Sequence, residues 1–239
     1  MDDSEPYWLF GLHAVRAALA NPRRAVHEMM VTTNALRRLD PLPRRIQPET
    51  VDVRRLNKLL GDAVHQGVAI RVSPLKSVAL DEIAGGRLVL CLDHITDPHN
   101  VGAILRSAAA FKADGIVVTR RHSASETGVL AKSASGALDM VPIAVETNMS
   151  RAVDALREAG FRTIALDSEA ETTLSEQPRA DRWAFVLGAE GKGVRPGVRA
   201  SCDATAAIEV PGALASLNVS NAAAIILYAA QTHLLGDKA

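Results

Sequence analysis

The 239-residue chain predicts an α/β fold built in two parts. Three observations carry this. Short aliphatic runs alternate with amphipathic stretches along the whole chain, the pattern of strands and helices taken in turn. From residue 87 the runs become continuously apolar, as in Leu88-Val89-Leu90-Cys91-Leu92, and such strands are buried on both faces of a parallel sheet. Between the two parts lies a stretch holding Pro74 and the pair Gly85-Gly86, a linker composition. The expected layout is a small domain over 1–76, a linker over 77–86 and a larger domain over 87–239.

In the first part, residues 12–20 predict a helix entered from Phe10-Gly11 and stopped by Asn21-Pro22. A strand is expected over 26–32 and a helix over 34–39, followed by a connection rich in Pro and Arg as far as Gln47-Pro48. Then come a strand over 51–53, a helix over 54–60 and a strand over 68–72. In the second part, strands are expected over 87–92, 115–119, 141–145, 162–166, 183–187 and 207–210. Helices are expected over 100–113, 128–138, 150–159 and 218–235. The alternation predicts helices covering a largely parallel sheet.

Composition narrows the function classes. The chain is 48% hydrophobic with zero formal net charge, and no apolar run approaches the roughly 20 residues of a membrane span. Met1-Asp2-Asp3-Ser4-Glu5-Pro6 is acidic and polar, unlike a secretory or transit segment, so a cytoplasmic protein is expected. Cys91 and Cys202 lie in or beside apolar runs and read as buried thiols. Charge is unevenly spread: residues 7–80 hold 12 Lys and Arg against 5 Asp and Glu, with Arg pairs at 23-24, 37-38, 44-45 and 54-55. Local clustering of this kind sets the field that a polyanion meets.

Three loops carry the polar, glycine-rich character of a site. Asp97-Pro98-His99-Asn100-Val101-Gly102 follows the strand over 87–92, and Gly188-Ala189-Glu190-Gly191-Lys192-Gly193 follows the one over 183–187. Pro211-Gly212 and Ala215-Ser216-Leu217-Asn218-Val219-Ser220-Asn221 follow the one over 207–210. In open α/β sheets ligands bind beyond the carboxyl ends of the strands, so the three can converge on one pocket. The spacing at 188–193 is that of neither a dinucleotide fingerprint nor a phosphate loop, and no nucleophile elbow occurs. His94 and His99 stand near Asp93 and Asp97 without a recognised ligand spacing, so no metal is expected.

Taken together, these segments resemble the three signature motifs of the SpoU family of RNA ribose 2′-O-methyltransferases. Asn100 to Arg106 is similar to motif 1, Leu187 to Val194 to motif 2, and Ile208 to Asn221 to motif 3. The segments Phe10-Gly11-Leu12-His13-Ala14-Val15 and Ala63-Val64-His65-Gln66-Gly67-Val68 resemble the substrate-binding module of the subgroup that modifies large-subunit rRNA. The resemblance implies a deep C-terminal trefoil knot, S-adenosyl-methionine as cofactor, a homodimer, and a guanosine of 23S rRNA as target, with tRNA as the alternative. A silent RNA-binding assembly factor of the same fold is a further alternative, against which the intact motif residues count. A 2′-hydroxyl target excludes DNA.

By that resemblance Arg106 is the catalytic residue, accompanied by Asn100, Glu190, Ser216 and Asn218. Gly188, Ile208 and Leu217 match positions that contact the cofactor. A guanidinium with pKa above about 12 is a poor proton acceptor, so Arg106 is read as a positioner and charge stabiliser. Asn100 is expected to orient Arg106 or the ribose, and Glu190 to hold Arg106 or a substrate group. Arg37, Arg38, Arg54, Arg55, Arg120, Arg121 and Lys192 are the candidate RNA contacts. With 3% aromatic residues, recognition by shape and phosphates is expected rather than base stacking.

Overall fold

The computed structural model describes residues 5–41, 46–212 and 217–236. Contacts divide the chain into two units. The first runs to Lys76 and takes in Ser125–Met140, and the second comprises Ser77–Ala124 and Val141–Ala239.

The first unit opens with β1 (Tyr7–Phe10), α1 (Leu12–Ala20), β2 (Val26–Val31) and α2 (Thr33–Leu39). It continues with β3 (Glu49–Thr50), α3 (Val53–Leu60) and β4 (Val68–Val72). The sheet order is β1-β4-β2-β3, with β4 antiparallel to both of its neighbours and β3 parallel to β2. Strand β1 was not expected; four residues ending at a glycine are too short to show a period. Strand β3 ends before the expected 51–53, because the Asp52 carboxylate accepts the Arg55 amide at 2.8 Å and makes Val53 already helical.

The two segments that carry the substrate-module likeness hold each other. The Leu12 amide donates to Gln66 Oε1 at 2.9 Å, at the start of α1. His65 Nδ1 accepts the Gly67 amide at 3.0 Å, so its Nε2 carries the proton and donates to Asn57 Oδ1 at 2.8 Å. These residues act as ties between α1, α3 and β4.

The second unit contains α4 (Leu80–Ala84), β5 (Leu88–Asp93), α5 (Pro98–Ala110) and β6 (Gly115–Thr119). The chain then enters the first unit for α6 (Gly128–Ala134) and a 3-10 turn at Ala137–Asp139. It returns with β7 (Ile143–Glu146), α7 (Met149–Glu158), β8 (Arg162–Leu166) and β9 (Trp183–Gly188). Last come α8 (Pro196–Ser201), β10 (Ala204–Ala206) and α9 (Val219–Ala229), which runs into a π-helical turn at Ala230–Leu234. Six strands form one parallel sheet in the order β10-β8-β9-β5-β6-β7. Every residue of β5 is buried, as the continuous apolar run predicts.

Several boundaries differ from expectation. Helix α5 starts at Pro98 rather than Asn100, since proline fits the first turn and Asp97 caps it through the His99 amide. Helix α6 stops at Ala134, where Ser135 and Gly136 turn left-handed at φ 49° and 96°. The last helix loses its α-helical character after Ala229. Strand β10 lies at Ala204–Ala206, and Ile208 to Val210 run on without a strand partner among the described residues.

Residues 125–140, expected in the larger domain, belong to the first unit because a buried ionic network ties them there. The Arg24 side chain is fully buried; it donates to Asp139 Oδ1 at 2.8 Å and Oδ2 at 3.1 Å, to Glu126, and to the Ser73 carbonyl at 2.8 Å. Asn21 Nδ2 also reaches Asp139, at 3.0 Å. Glu126 in turn accepts the Tyr7 hydroxyl at 2.8 Å and the Leu75 amide at 3.0 Å. Burial, then the Glu126 charge, push the Tyr7 hydroxyl well above its ordinary value.

Candidate functional site

Strands β5, β6 and β7 follow one another on one side of the sheet, while β9, β8 and β10 occupy the other. The crevice at such a reversal, beyond the carboxyl ends of β5 and β9, is where this architecture places ligands. Asp93, the last residue of β5, pairs in register with Gly188, the last of β9. The loops that follow both strands therefore start side by side.

A carboxylate ends the buried strand. Asp93 has no exposed surface and is met by Arg195, which donates its amide to Oδ2 at 3.0 Å, Nε to Oδ1 at 2.9 Å and Nη2 to Oδ1 at 2.6 Å. These bonds raise the Arg195 guanidinium above its ordinary value and clamp the chain after the 188–193 loop to the end of β5. Sequence reasoning passed over this pair. The available signal was an acidic residue closing an otherwise apolar strand, which requires a counter-charge once buried.

The 188–193 loop is a tight return. The Gly193 amide donates to the Ala189 carbonyl at 2.9 Å, and Gly191 and Gly193 have φ of 76° and 64°. A Cβ on Gly188 would lie 1.9 Å from the Gly193 carbonyl carbon, so only glycine permits this backbone approach. The turn carries Glu190 outward, to where the other two loops meet it.

Asn218 Nδ2 donates to Glu190 Oε1 at 2.7 Å and to Asn100 Oδ1 at 3.0 Å, while Asn100 Nδ2 donates to Glu190 Oε1 at 3.2 Å. Asn218 Oδ1 accepts the Ser220 amide at 2.9 Å and its hydroxyl at 2.6 Å, capping α9. Asn100 in the first turn of α5, Glu190 in its loop and Asn218 at the cap of α9 thus close into one hydrogen-bonded group, with Glu190 and Asn218 exposed and Asn100 half-buried.

Arg106 stands apart from this group. It lies six residues past Asn100 on α5, about 9 Å along the axis, and is exposed. Its side chain makes no hydrogen bond or ion pair among the described residues. Glu190, read as a possible anchor for Arg106, instead holds the two asparagines. Asn100 likewise bonds to Glu190 and Asn218. Ser216 lies outside the described residues.

Gly188, Ile208 and Leu217 are half-buried. Among the described residues, the backbone amides of Glu190, Gly191 and Lys192, and of Ile208, Glu209 and Val210, donate no hydrogen bond. Such a line of open main-chain groups suits a polar heterocycle and its sugar.

The candidate RNA contacts fall on both units. In the first, Arg37 and Arg38 end α2 and Arg54 and Arg55 begin α3, all exposed. Arg55 is held by Glu49 at 2.6 Å. In the second, Arg120, Arg121 and Lys192 are exposed. The two thiols are not equivalent: Cys91 is buried, whereas Cys202 is half-buried. Burial pushes the Cys202 thiol up to about 12, which leaves it no nucleophilic thiolate at neutral pH.

Comparison with known proteins finds matches to both parts of the chain. Residues 87–228 match the SpoU rRNA methylase family, and residues 8–78 match the RNA 2′-O ribose methyltransferase substrate-binding family. A protein of Xanthomonas campestris named 23S rRNA (guanosine-2′-O-)-methyltransferase RlmB is 35% identical over 96% of this chain and 97% of its own. A Burkholderia protein of the same name is 41% identical over 75% of this chain and 74% of its own. The fold is also that of an AdoMet-bound rRNA methyltransferase from Sinorhizobium meliloti, with a TM-score of 0.82 at 21% identity, covering 98% of this chain and 90% of that one. With residues 87–228 matched and a full-length relative at 35% identity, the chain belongs to the SpoU rRNA methylase family.

Proposed function

We propose that this protein methylates a ribose 2′-hydroxyl of 23S rRNA, on a guanosine, with S-adenosyl-methionine as methyl donor. The observation that carries the reading is the union of Asn100, Glu190 and Asn218 at the sheet crevice, with Arg106, unpaired among the described residues, further along the helix that carries Asn100. The base and the RNA are taken from the curated relatives named for this reaction, one of which aligns over 96% of the chain.

The residues present fit the cofactor: the amides at 190–192 and 208–210 donate no hydrogen bond among the described residues, and Gly188 lets the first of these loops close tightly on its own backbone. Gly188, Ile208 and Leu217 would hold it through main chain and apolar contact. When bound, it supplies an electrophilic methyl carbon for an in-line displacement. Asn100, Glu190 and Asn218 fix the geometry of the ribose pocket, since each is bonded to the other two and none can turn alone. Arg106 places its positive charge beside the reacting hydroxyl and lowers the cost of oxyanion character there. The proton leaves to water or to an RNA phosphate, because the guanidinium cannot accept it. Ser216 completes the ribose contacts in this reading.

Gly188→Ala is expected to weaken S-adenosyl-methionine binding at least about tenfold in calorimetry, because the new methyl group displaces backbone rather than a flexible side chain. Wild-type affinity in that variant would remove Gly188 from the cofactor site.

The exposed arginines of α2 and α3 are read as RNA-docking groups. Neutralising Arg37, Arg38, Arg54 and Arg55 together should lower the slope of log affinity against log salt by about two to three. Arg55 contributes least, since Glu49 already holds it. An unchanged slope would return these side chains to ordinary surface charge.

We infer a homodimer that uses α9, on which Ile225 and Tyr228 are 40% and 55% exposed, a mass in solution of one chain being the contrary result. A knotted C-terminal segment is inferred from family membership. A cytoplasmic site of action follows from an rRNA substrate, and no helix among the described residues is long and apolar enough to cross a membrane.

Ribose-methylation mapping of all stable RNAs, with and without the gene, tests the proposal. Loss of one 2′-O-methylguanosine in 23S rRNA is expected. Loss confined to a tRNA would move the substrate, and no loss anywhere would leave the silent assembly factor as the better reading.

A further inference from the structure

A second polar feature lies beyond the ends of β5, β6 and β7. A cavity of about 440 Å³ is lined there by His94, Arg121, His122, Asn148, Ser150 and Arg195, among others. It shares none of its side chains with the Asn100, Glu190 and Asn218 group. Each of three successive strands contributes: His94 follows β5, Arg121 and His122 follow β6, and Asn148 with Ser150 opens α7 after β7.

The wall is rich in donors and has no carboxylate among its lining residues. Arg121 has no carboxylate partner among the described residues. Arg195 is fixed from behind by the buried Asp93, which orients its guanidinium while the side chain stays 45% exposed. The two imidazoles sit 4.6 Å apart, tilted by 43°. Both are carried by left-handed backbone, with φ of 61° at His94 and 60° at His122. That conformation is uncommon for a residue with a side chain, and here two loops adopt it to bring two rings to one place.

The charges around His94 are mostly positive. Burial above all, and then Arg195, His122 and Lys192, disfavour its protonation, and Asp93 opposes them. From the other elements, Arg121 adds positive charge, while Asn148 and Ser150 on α7 do not titrate. The positive side chains around the ring favour an anion there, and a bound anion in turn favours the protonated ring.

We propose that this cavity binds a backbone phosphate of the RNA substrate, gripped by Arg121 and Arg195 and by the ring N–H groups of His94 and His122. The inference rests on the RNA-methylation reading and deepens it: substrate engagement becomes coupled to proton uptake. Binding weakens as pH rises through the imidazole range, because a neutral imidazole offers one donor and no charge.

The test is equilibrium binding of a 23S rRNA transcript at fixed ionic strength, at about pH 6 and about pH 8. Wild-type protein is expected to bind about tenfold more tightly at the lower pH. The double variant H94N and H122N should lose most of that difference; asparagine is chosen because it tolerates left-handed backbone. Independently, R121Q, on an exposed side chain, should lower the log–log salt slope by about one. The cavity assignment fails if the double variant keeps the pH dependence and R121Q keeps the slope. A wild-type protein that leaves rRNA ribose unmethylated would instead overturn the functional reading, so the two failures are told apart.

Discussion

Arg106→Ala is expected to lower single-turnover methyl transfer by about two to three orders of magnitude, the scale seen when a preorganised charge-stabilising donor is removed. Melting temperature and S-adenosyl-methionine affinity should stay near wild type. Arg106 is exposed and bonded to nothing among the described residues, so its loss leaves no buried group unsatisfied. That combination is what separates a catalytic role from a structural one. Arg106→Lys should recover only part of the rate, because an ammonium keeps the charge and loses the planar fork. A variant that turns over near the wild-type rate would remove Arg106 from the reaction and shift attention to Glu190.

Arg24→Met is expected to destabilise the first unit by about 3–5 kcal/mol, the penalty for leaving buried carboxylates without their cation. Asp139 is 1% exposed and Glu126 15% exposed at the side chain, so neither can turn fully to water in place. Hydrogen exchange should show the loss in β1, α1, β4 and residues 125–140, with β5 and β9 still protected. Uniform loss across the large sheet would contradict the assignment of 125–140 to the first unit. Replacing Arg24, Glu126 and Asp139 together by apolar residues of similar volume should restore much of the stability, since no unpaired charge then remains.

Much of this architecture was legible because burial writes itself into residue type. The unbroken apolar run ending at Leu92 marks a strand covered on both faces, and β5 is buried throughout. The loops at 97–102, 188–193 and 218–221 stood out through glycine and amide side chains at strand ends, and Asn100, Glu190 and Asn218 do converge. What stayed hidden depends on partners distant in sequence. Arg24 looks like a surface arginine until Glu126 and Asp139, more than 100 residues on, are brought to it. The same holds for Asp93 and Arg195, 102 residues apart. His94 and His122 gave no spacing signal either, because their meeting is set by the adjacency of β5 and β6.

The excursion of residues 125–140 has a consequence for how such a protein can be taken apart or recombined. The boundary near Lys76 is not a place where the chain separates into two modules, since the first unit is completed by a segment encoded between β6 and β7. A fragment ending there would lack the carboxylates that neutralise Arg24. A chimera that exchanges the RNA-docking half between homologues must carry two stretches of sequence, and the fusion then has three junctions rather than one. The dependence runs one way: residues 77–239 contain all of the second unit, whereas residues up to Lys76 leave the first unit incomplete.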